Sequence, residues 1–172
     1  MATFVRYGPT PRYGIPDAGF CASSFVLVRQ GPTVLAGIPK EHPRWTKEWA
    51  PNFLVYGRAD LADEFRSWRL PASYLYEGEH PADAAHRVLE DQLRIRVRPL
   101  GAVSVYSFYD PSSWYPGRMH YDLCFVYQIR GGRPTRVPPW WRRLEFWRLR
   151  DLRKEELGSA MSDLVRVLRL GP

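Results

Sequence analysis

The fold of this 172-residue chain is decided by a stretch near its middle. From Leu70 to Ile95 the sequence is LPASYLYEGEHPADAAHRVLEDQLRI. Pro81 suits the first position of a helix, and Asp83 suits the positive end of the helix dipole. The apolar residues that follow recur at helical spacing and form one stripe: Ala84, Ala85, Val88, Leu89 and Leu93. The pattern predicts an amphipathic helix over residues 81–93.

Strand patterns flank this helix on both sides. Phe20–Arg29 and Val34–Ile38 are short apolar runs on either side of a Gln-Gly-Pro-Thr turn, which predicts a β-hairpin. Residues 95–108, 119–129 and 145–149 are predicted as strands, and residues 152–170 as one or two helices. This order of elements indicates an α/β or α+β layered domain with a mixed sheet.

Two segments depart from this regular order. Residues 1–18 contain three prolines, which predicts an irregular N-terminal arm. Residues 39–69 combine prolines with many aromatic residues and predict an insertion that folds onto the core. The remainder, residues 19–172, is expected to be a single domain.

The overall composition excludes several classes of protein. Hydrophobic residues make up 45% and charged residues 25%, which excludes an intrinsically disordered chain. Apolar runs are far shorter than the roughly 18 residues that span a bilayer, and the N-terminus lacks a secretory pattern, so a cytoplasmic location without a membrane partner is expected. The net charge of +7 favours anionic partners only in a general way.

Cysteine and histidine residues give no metal signal in the sequence. Cys21 and Cys124 are too few for a disulfide framework and are not closely spaced, so both are expected to be small core residues. The four histidines, His42, His80, His86 and His120, show no ligand spacing. We therefore expect no metal site built from them.

The stretch quoted above resembles the Nudix box. That pattern is Gly, five residues, Glu, seven residues, then Arg-Glu-apolar-any-Glu-Glu-any-Gly-apolar. Placing its first Glu on Glu79 puts its Arg on Arg87. The matching features are the Leu70-Pro71 lead-in, Gly78-Glu79, Ala84-Ala85, Arg87 and the closing Ile95. The order of elements over roughly residues 19–170 is also similar to that of the Nudix hydrolases, which implies a Nudix-like α/β/α sandwich.

The departures from the box fall at the positions that hold the metal. In the family, three acids on the helix hold Mg²⁺ or Mn²⁺, which activates water to hydrolyse a pyrophosphate. Here these positions are Val88, Asp91 and Gln92, while the two glycines of the pattern are Ser73 and Arg94. Hard divalent cations require oxygen ligands, preferably charged, and Val88 offers none. One strong ligand remains on the helix.

The resemblance implies two alternative functions. The first is a Nudix-fold protein with a degraded metal site, which binds a nucleotide or another protein and has little or no hydrolase activity. The second is an active Mg²⁺- or Mn²⁺-dependent hydrolase of nucleoside diphosphates linked to another moiety. In the second, Glu79, Arg87 and Asp91 would be catalytic, and Asp91 and Glu145 would hold the metal. Glu79 and Arg87 also have a structural interpretation, as a helix-start acid and as a partner of Asp83 or Asp91.

Arginine and aromatic side chains are the candidates for ligand binding. Arg87 and Arg94 add positive charge near the box and suit phosphate groups, and Trp114 and Tyr115 could stack on a base. The expected partner is a nucleotide or another phosphorylated small molecule. A nucleic-acid partner is disfavoured, because the aromatic signatures of RNA-binding sheets are not matched. The aromatic content is equally compatible with a buried core or a homodimer interface.

Overall fold

The computed structural model describes residues 18–50, 58–96, 100–112, 115, 117–158 and 161–170, the side chains of 58–60 and 170 excepted. The strands are β1 (Phe20–Gln30), β2 (Thr33–Pro39), β3 (Ala72–Tyr74), β4 (Val103–Pro111), β5 (Met119–Arg130) and β6 (Trp141–Trp147). The α-helices are α1 (Arg58–Glu64), α2 (Pro81–Arg87) and α3 (Met161–Leu170). Trp45–Trp49 and Val88–Gln92 form π-helical turns, and Leu149–Asp151 and Lys154–Glu156 form 3₁₀ turns.

The strands form one mixed sheet in the order β4-β5-β1-β2-β6. Strands β1 and β5 are parallel, and the other pairs are antiparallel. β1 and β2 pair only beside their turn, at Arg29–Val34 and Gln30–Thr33, and diverge beyond it. Residues 69–74 lie between the diverging strands: Arg69 pairs with Gly37, and β3 pairs with the first half of β1. The lead-in to helix α2 is therefore held at the centre of the sheet.

Apolar side chains cover both faces of the sheet. The first cluster lies on the face that carries α2 and contains Val26, Val28, Leu35, Val88 and Leu89. The second cluster lies on the opposite face, where α3 contributes Met161, Leu164 and Val165. Helices pack on both faces, so the predicted α/β/α sandwich with a mixed sheet is confirmed. No helix in the described part of the chain has both the length and the apolar character needed to cross a membrane.

The central helix begins as predicted but ends differently. Pro81 is its first residue, and the His80 Nδ1 accepts a hydrogen bond from the Ala82 N–H at 3.2 Å. After Arg87 the helix widens, so the Leu93 N–H bonds the Val88 carbonyl at 3.2 Å. Arg94 then adopts a positive φ of 57°, which stops the helix. The prediction that a strand starts at residue 95 is therefore wrong, and the strand, β4, begins at Val103.

Other boundaries also differ from the sequence prediction. The predicted hairpin is confirmed as β1 and β2. The strand predicted over residues 145–149 begins earlier, at Trp141, because its aromatic start pairs with Pro39. The predicted irregular arm over residues 1–18 lies outside the described residues except for Ala18. Within residues 39–69, Trp45, Trp49 and Phe65 are buried in the first cluster.

Candidate functional site

The helix positions that correspond to the metal-binding acids of the box differ sharply in exposure. Val88 and Gln92 are both 0% exposed, whereas the Asp91 side chain is 40% exposed. Val88 packs in the first cluster together with Leu89 and Leu93. The π-helical turn carries Glu90 and Asp91 to the surface and keeps Val88, Leu89 and Gln92 in the core. Two of the three positions therefore face packed protein.

Gln92 is held by hydrogen bonds at both its side chain and its backbone. Its Nε2 donates to the Ala72 carbonyl at 2.7 Å. Its backbone carbonyl accepts from the Trp140 and Trp141 indole N–H groups at 2.8 and 3.0 Å. Among the described residues its Oε1 has no hydrogen-bond partner, which costs free energy in a buried position. Gln92 ties the helix to β3 and to the start of β6.

Four indoles cover this end of the helix, and we call them the tryptophan cluster: Trp45, Trp49, Trp140 and Trp141. Each is 4% exposed or less. The ring centroids of neighbours lie 4.7 to 5.4 Å apart in edge-to-face contacts, a geometry that aromatic pairs favour. The Trp45 indole N–H donates to the Trp140 carbonyl at 2.8 Å. All four rings belong to the same apolar cluster as Val88, so this part of the helix is surrounded by hydrocarbon.

The Asp91 carboxylate lies beside a cation. Arg44 Nη2 is 3.7 Å from Asp91 Oδ2, and Arg44 Nε also donates to Glu48 at 2.9 Å. The Arg44 guanidinium stacks on the Trp49 and Trp140 rings, at 4.5 and 5.0 Å from their centroids. Arg94 is exposed and also lies over the Trp140 ring, at 4.9 Å. Two arginines therefore border the surface on which Asp91 lies.

Glu79 and Arg87, the best-matched residues of the box, bind each other. Arg87 Nε and Nη2 donate to the two Glu79 carboxylate oxygens at 2.8 and 2.7 Å. Arg87 also donates to Ser73 Oγ at 2.8 Å and to the Tyr74 carbonyl at 2.9 Å, and it lies 3.9 Å from the Tyr76 ring centroid. The guanidinium thus contacts acceptors within the domain, and the helix start is fixed to β3.

The surroundings of Glu79 stabilise its charged form. The hydrogen bonds from Arg87 hold the pKa of the Glu79 carboxyl below its ordinary value. The Tyr76 backbone N–H also donates to Glu79 Oε2 at 2.8 Å, and Gly78, with a φ of 75°, makes the turn that allows this contact. In the structural interpretation of the sequence, Glu79 is an acid at the helix start, and Arg87 pairs with Asp83 or Asp91. The bond that forms is between Glu79 and Arg87 themselves.

Glu145 lies on the face of the sheet opposite to helix α2. In the β2–β6 pairing Glu145 is opposite Ala36, which faces the second cluster, whereas the adjacent Leu35–Phe146 pair faces the first cluster. The Glu145 carboxylate accepts hydrogen bonds from Arg143 Nε and Nη2 at 2.8 and 2.6 Å. The structure therefore does not bring Glu145 and Asp91 together.

The two predicted stacking residues are only partly described. Trp114 lies outside the described residues. Tyr115 is 54% exposed, and its backbone N–H donates to Ser112 Oγ at 3.2 Å. No ring contact joins Tyr115 to Arg87 or Arg94 among the described residues, and a stacking role for it remains a prediction.

One side-chain cluster was missed from the sequence. Cys21 on β1 and His120 and Asp122 on β5 have donor atoms that all lie within 4.8 Å of one another. His120 Nε2 is 3.1 Å from Asp122 Oδ1. Burial raises the pKa of the Cys21 thiol to about 12, and it does the same for Cys124. His120 and Asp122 alternate along a strand, a usable signal, but the partner Cys21 depends on a long-range register that the sequence does not give.

Two depressions differ greatly in size. A cavity of about 50 Å³ is lined by Ser23, Ser73, Tyr74, Asp122 and Cys124, among others. A groove of about 870 Å³ lies beside β6, with Leu35, Leu144 and Phe146 as its floor and Arg133 and Arg136 on its rim. Glu145 reaches its edge. Small-molecule pockets are typically about 300–1,000 Å³, so the groove can accommodate a ligand of nucleotide size, as can two further depressions of about 580 and 480 Å³.

Comparison with solved structures identifies the fold. The MutT Nudix hydrolase from Burkholderia pseudomallei is similar with a TM-score of 0.57 and 18% sequence identity, over 86% of this chain and 96% of that one. The chain described here has the Nudix fold. The MutT protein from Methanosarcina mazei Go1 is similar at a TM-score of 0.59 and 13% identity, over 88% of this chain and 94% of that chain.

A third Nudix-fold neighbour was solved with ligands. The bifunctional NMN adenylyltransferase/ADP-ribose pyrophosphatase from Francisella tularensis, complexed with AMP and a Mn ion, is similar at a TM-score of 0.56 and 13% identity. The match covers 87% of this chain and 41% of that chain. No family model matches this sequence, and no curated protein matches it. The sequence identities to these Nudix-fold structures are low. The chemistry of the site must therefore be inferred from the residues of this chain.

Proposed function

We propose that this protein is a Nudix-fold protein without hydrolase activity, which binds a nucleotide or another phosphorylated small molecule. The observation that carries the proposal is the burial of Val88 and Gln92, both 0% exposed: Val88 lies in the same apolar cluster as the four tryptophans, and two of these bond the Gln92 carbonyl. In an active site these positions would face solvent and a metal-bound substrate. Here they contribute to the stability of the core.

The residues of the helix do not fit a Mg²⁺ or Mn²⁺ ion. Such ions take several oxygen ligands, preferably carboxylates. Val88 has no donor atom, the Gln92 amide is buried and bonded to Ala72, and the Asp91 carboxylate is beside Arg44. Among the described residues, the one group of three or more convergent His, Cys, Asp or Glu donors is Cys21–His120–Asp122, and Asp91 is not in it. We therefore derive no hydrolytic step through a metal.

The groove beside β6 is the best candidate for the ligand site. Its floor is apolar, and Arg133 and Arg136 on its rim are exposed. Guanidinium groups form paired, charge-assisted hydrogen bonds with phosphate, while an apolar floor suits the face of a base. This combination supports recognition of a phosphorylated molecule that also has a flat apolar part. Arg94 is exposed and provides a further positive charge, whereas Arg87 is 14% exposed and bound to Glu79.

The proposal predicts binding without turnover. Purified protein in EDTA should bind nucleotides from a panel of mono- and diphosphates, measured by isothermal titration calorimetry. Arg133→Ala and Arg136→Ala should each weaken binding about tenfold, since a charge-assisted hydrogen bond contributes roughly 1.4 kcal/mol. Arg166→Ala, a change at an exposed arginine paired with Asp163 outside the groove, should leave the affinity unchanged.

The same panel distinguishes this function from the active hydrolase. With Mg²⁺ or Mn²⁺ added, product should form no faster than in the blank, for the wild type and for Asp91→Ala alike. Metal-dependent product that disappears in Asp91→Ala would establish the alternative, in which Glu79, Arg87 and Asp91 are catalytic and Asp91 and Glu145 hold the metal. Affinity that falls steeply with salt for any polyanion, with no preference for nucleotides, would indicate non-specific nucleic-acid association instead.

A second candidate function is interaction with another protein, and one surface favours it. On the edge strand β4, Val103, Val105 and Tyr109 are 46, 56 and 55% exposed. Tyr109 contacts Tyr121 at 5.1 Å, and Tyr121 stacks on Phe20 at 5.7 Å, so the apolar surface continues across three strands. An exposed edge strand with apolar side chains is a surface on which a second copy of the chain can pair.

We expect this surface to support a homodimer. Sedimentation velocity of the wild type should show a concentration-dependent dimer, and Val105→Asp should shift it to monomer because a charge then lies in the interface. Val137→Asp, at another exposed valine (48%) away from β4, is the matched control. A monomeric wild type at all concentrations would remove the dimer from consideration.

A further inference from the structure

We infer that Cys21, His120 and Asp122 form a binding site for a divalent transition metal of the Zn²⁺ class. The three donor atoms, Cys21 Sγ, a His120 ring nitrogen and an Asp122 carboxylate oxygen, all lie within 4.8 Å of one another. Thiolate, imidazole and carboxylate are the groups that bind Zn²⁺ in proteins. The site requires neither a functional Nudix box nor the nucleotide proposal.

The sheet brings these residues together through two regular features. His120 and Asp122 alternate on β5, so their side chains lie on the same face. β1 runs parallel to β5, with Cys21 directly opposite Asp122 in the register. The next residue along this face of β5, Cys124, belongs to the second cluster. The three donors therefore lie on the α3 side of the sheet, on the face opposite to helix α2.

The orientation of the His120 ring supports a cation at Nε2. His120 Nδ1 is 2.9 Å from the Asp110 carbonyl oxygen, and a carbonyl can only accept, so Nδ1 carries a proton. His120 Nε2 then faces the Asp122 carboxylate, another acceptor, at 3.1 Å. A neutral ring has one N–H and satisfies one of these acceptors. A ring protonated on both nitrogens satisfies both, and so does a metal ion between Nε2 and Asp122. A backbone carbonyl on the distal nitrogen is a common support of a metal-binding histidine.

Burial makes this cluster different from a solvated group of acids. His120 is 7% exposed, and the Asp122 side chain is 18% exposed. A buried carboxylate requires a cation or several hydrogen bonds to offset the loss of hydration. A divalent cation at this position would offset the negative charge of the Asp122 carboxylate.

The geometry requires a small contraction on binding. Zn²⁺ bonds of about 2.0 to 2.3 Å place tetrahedral donors roughly 3.3 to 3.7 Å apart. The donors, now at most 4.8 Å apart, therefore close by no more than about 1.5 Å. On binding, the Cys21 S–H bond breaks, a sulfur–metal bond forms, and the proton passes to solvent. Asp122 also lines the 50 Å³ cavity, which exceeds the roughly 10–15 Å³ that one water needs, so a water can take the fourth position.

Cobalt provides a direct test on the full-length protein. After removal of metals with a chelator, Co²⁺ is added and the absorption spectrum recorded, and Zn²⁺ is then added to compete. We expect one equivalent of Co²⁺ to give tetrahedral visible bands and a near-ultraviolet thiolate-to-cobalt band, both abolished by Zn²⁺. Cys21→Ser and Asp122→Asn should each weaken binding at least about 100-fold, the upper end of the loss seen when even a supporting group is removed.

The second cysteine is the matched control. Cys124→Ala removes the neighbouring buried thiol and should leave the thiolate-to-cobalt band in place. The absence of the band in the wild type, or its survival in Cys21→Ser, would contradict the proposed metal site. Either result would mean that His120 and Asp122 form a hydrogen-bonded pair without a metal. The wild-type measurement tests the proposal even if one of the variants does not fold.

Discussion

Replacing Val88 by glutamate should destabilise the protein by at least about 3 kcal/mol, because an unpaired carboxylate would be placed in a packed core. Val88 is 0% exposed and lies among Leu89, Leu93 and the tryptophan cluster. The total free energy of unfolding of a domain is about 5–15 kcal/mol, so the variant should be partly unfolded or unfold at much lower urea concentrations. Urea unfolding followed by tryptophan fluorescence measures the effect.

Asp91→Glu is the control for this experiment. It adds one methylene to the acid at the exposed one of the three box positions, where the side chain is 40% exposed, and should change the free energy of unfolding by less than about 0.5 kcal/mol. Val88→Glu restores the residue that the Nudix box has at this position. If the helix is part of a packed core, the variant should lose stability; if the helix is a metal site, the variant should tolerate the change and bind Mn²⁺. If Val88→Glu were as stable as the wild type and gained stability from Mn²⁺, the helix would be a metal site that lacks one ligand.

The second large effect is expected at the Glu79–Arg87 pair. Arg87→Ala should cost about 3–5 kcal/mol, because it leaves Glu79, whose side chain is 13% exposed, without its cation. Arg87→Lys should recover only part of this loss, since an ammonium group cannot bond both carboxylate oxygens, Ser73 and Tyr74 in the same geometry. Denaturant unfolding of the three proteins gives the comparison.

Arg143→Ala is the matched control, because Arg143 and Glu145 form the same kind of ion pair at the surface. Their side chains are 52% and 40% exposed, and exposed pairs contribute about 0–1 kcal/mol. A loss of stability in Arg87→Ala no larger than that in Arg143→Ala would mean that Glu79 and Arg87 are kept for a role other than holding the helix.

The pair also predicts how stability depends on pH. Arg87 lowers the pKa of Glu79 in the folded protein below its ordinary value of 4.5. The folded state therefore holds this proton less tightly than the unfolded state does, and the stabilisation is complete above the unfolded pKa. It is lost as the pH falls through the folded pKa. The difference in stability between wild type and Glu79→Gln should accordingly be constant near neutral pH and shrink in acid.

Local patterns in the sequence account for the central helix and the layered fold. The apolar stripe from Ala84 to Leu93 predicts both the helix and the face that it buries. The hairpin follows from the turn at Gln30–Thr33, and the alternation of helices and strands gives the mixed sheet. These features depend on residues that are close in the chain.

The arrangement of the candidate site depends on contacts between distant residues, and the sequence does not give them. Trp45 donates to Trp140, 95 positions along the chain, and this contact joins two members of the tryptophan cluster, which belongs to the same apolar cluster as Val88. Cys21 meets Asp122 only through the parallel register of β1 and β5. A π-helical turn follows Arg87 and leaves Asp91 partly exposed and Gln92 buried. The sequence contains no recognisable signal for this turn.

The absence of a metal site on helix α2 is tested most directly by a crystal structure of the protein soaked with Mn²⁺ and a nucleoside diphosphate. Anomalous scattering locates the metal without ambiguity. We expect no manganese bonded to the Asp91 carboxylate, Val88 and Gln92 still covered by the tryptophan cluster, and the nucleotide in the groove beside β6. A well-ordered manganese ion bonded to Asp91 and to at least one further carboxylate would contradict this account.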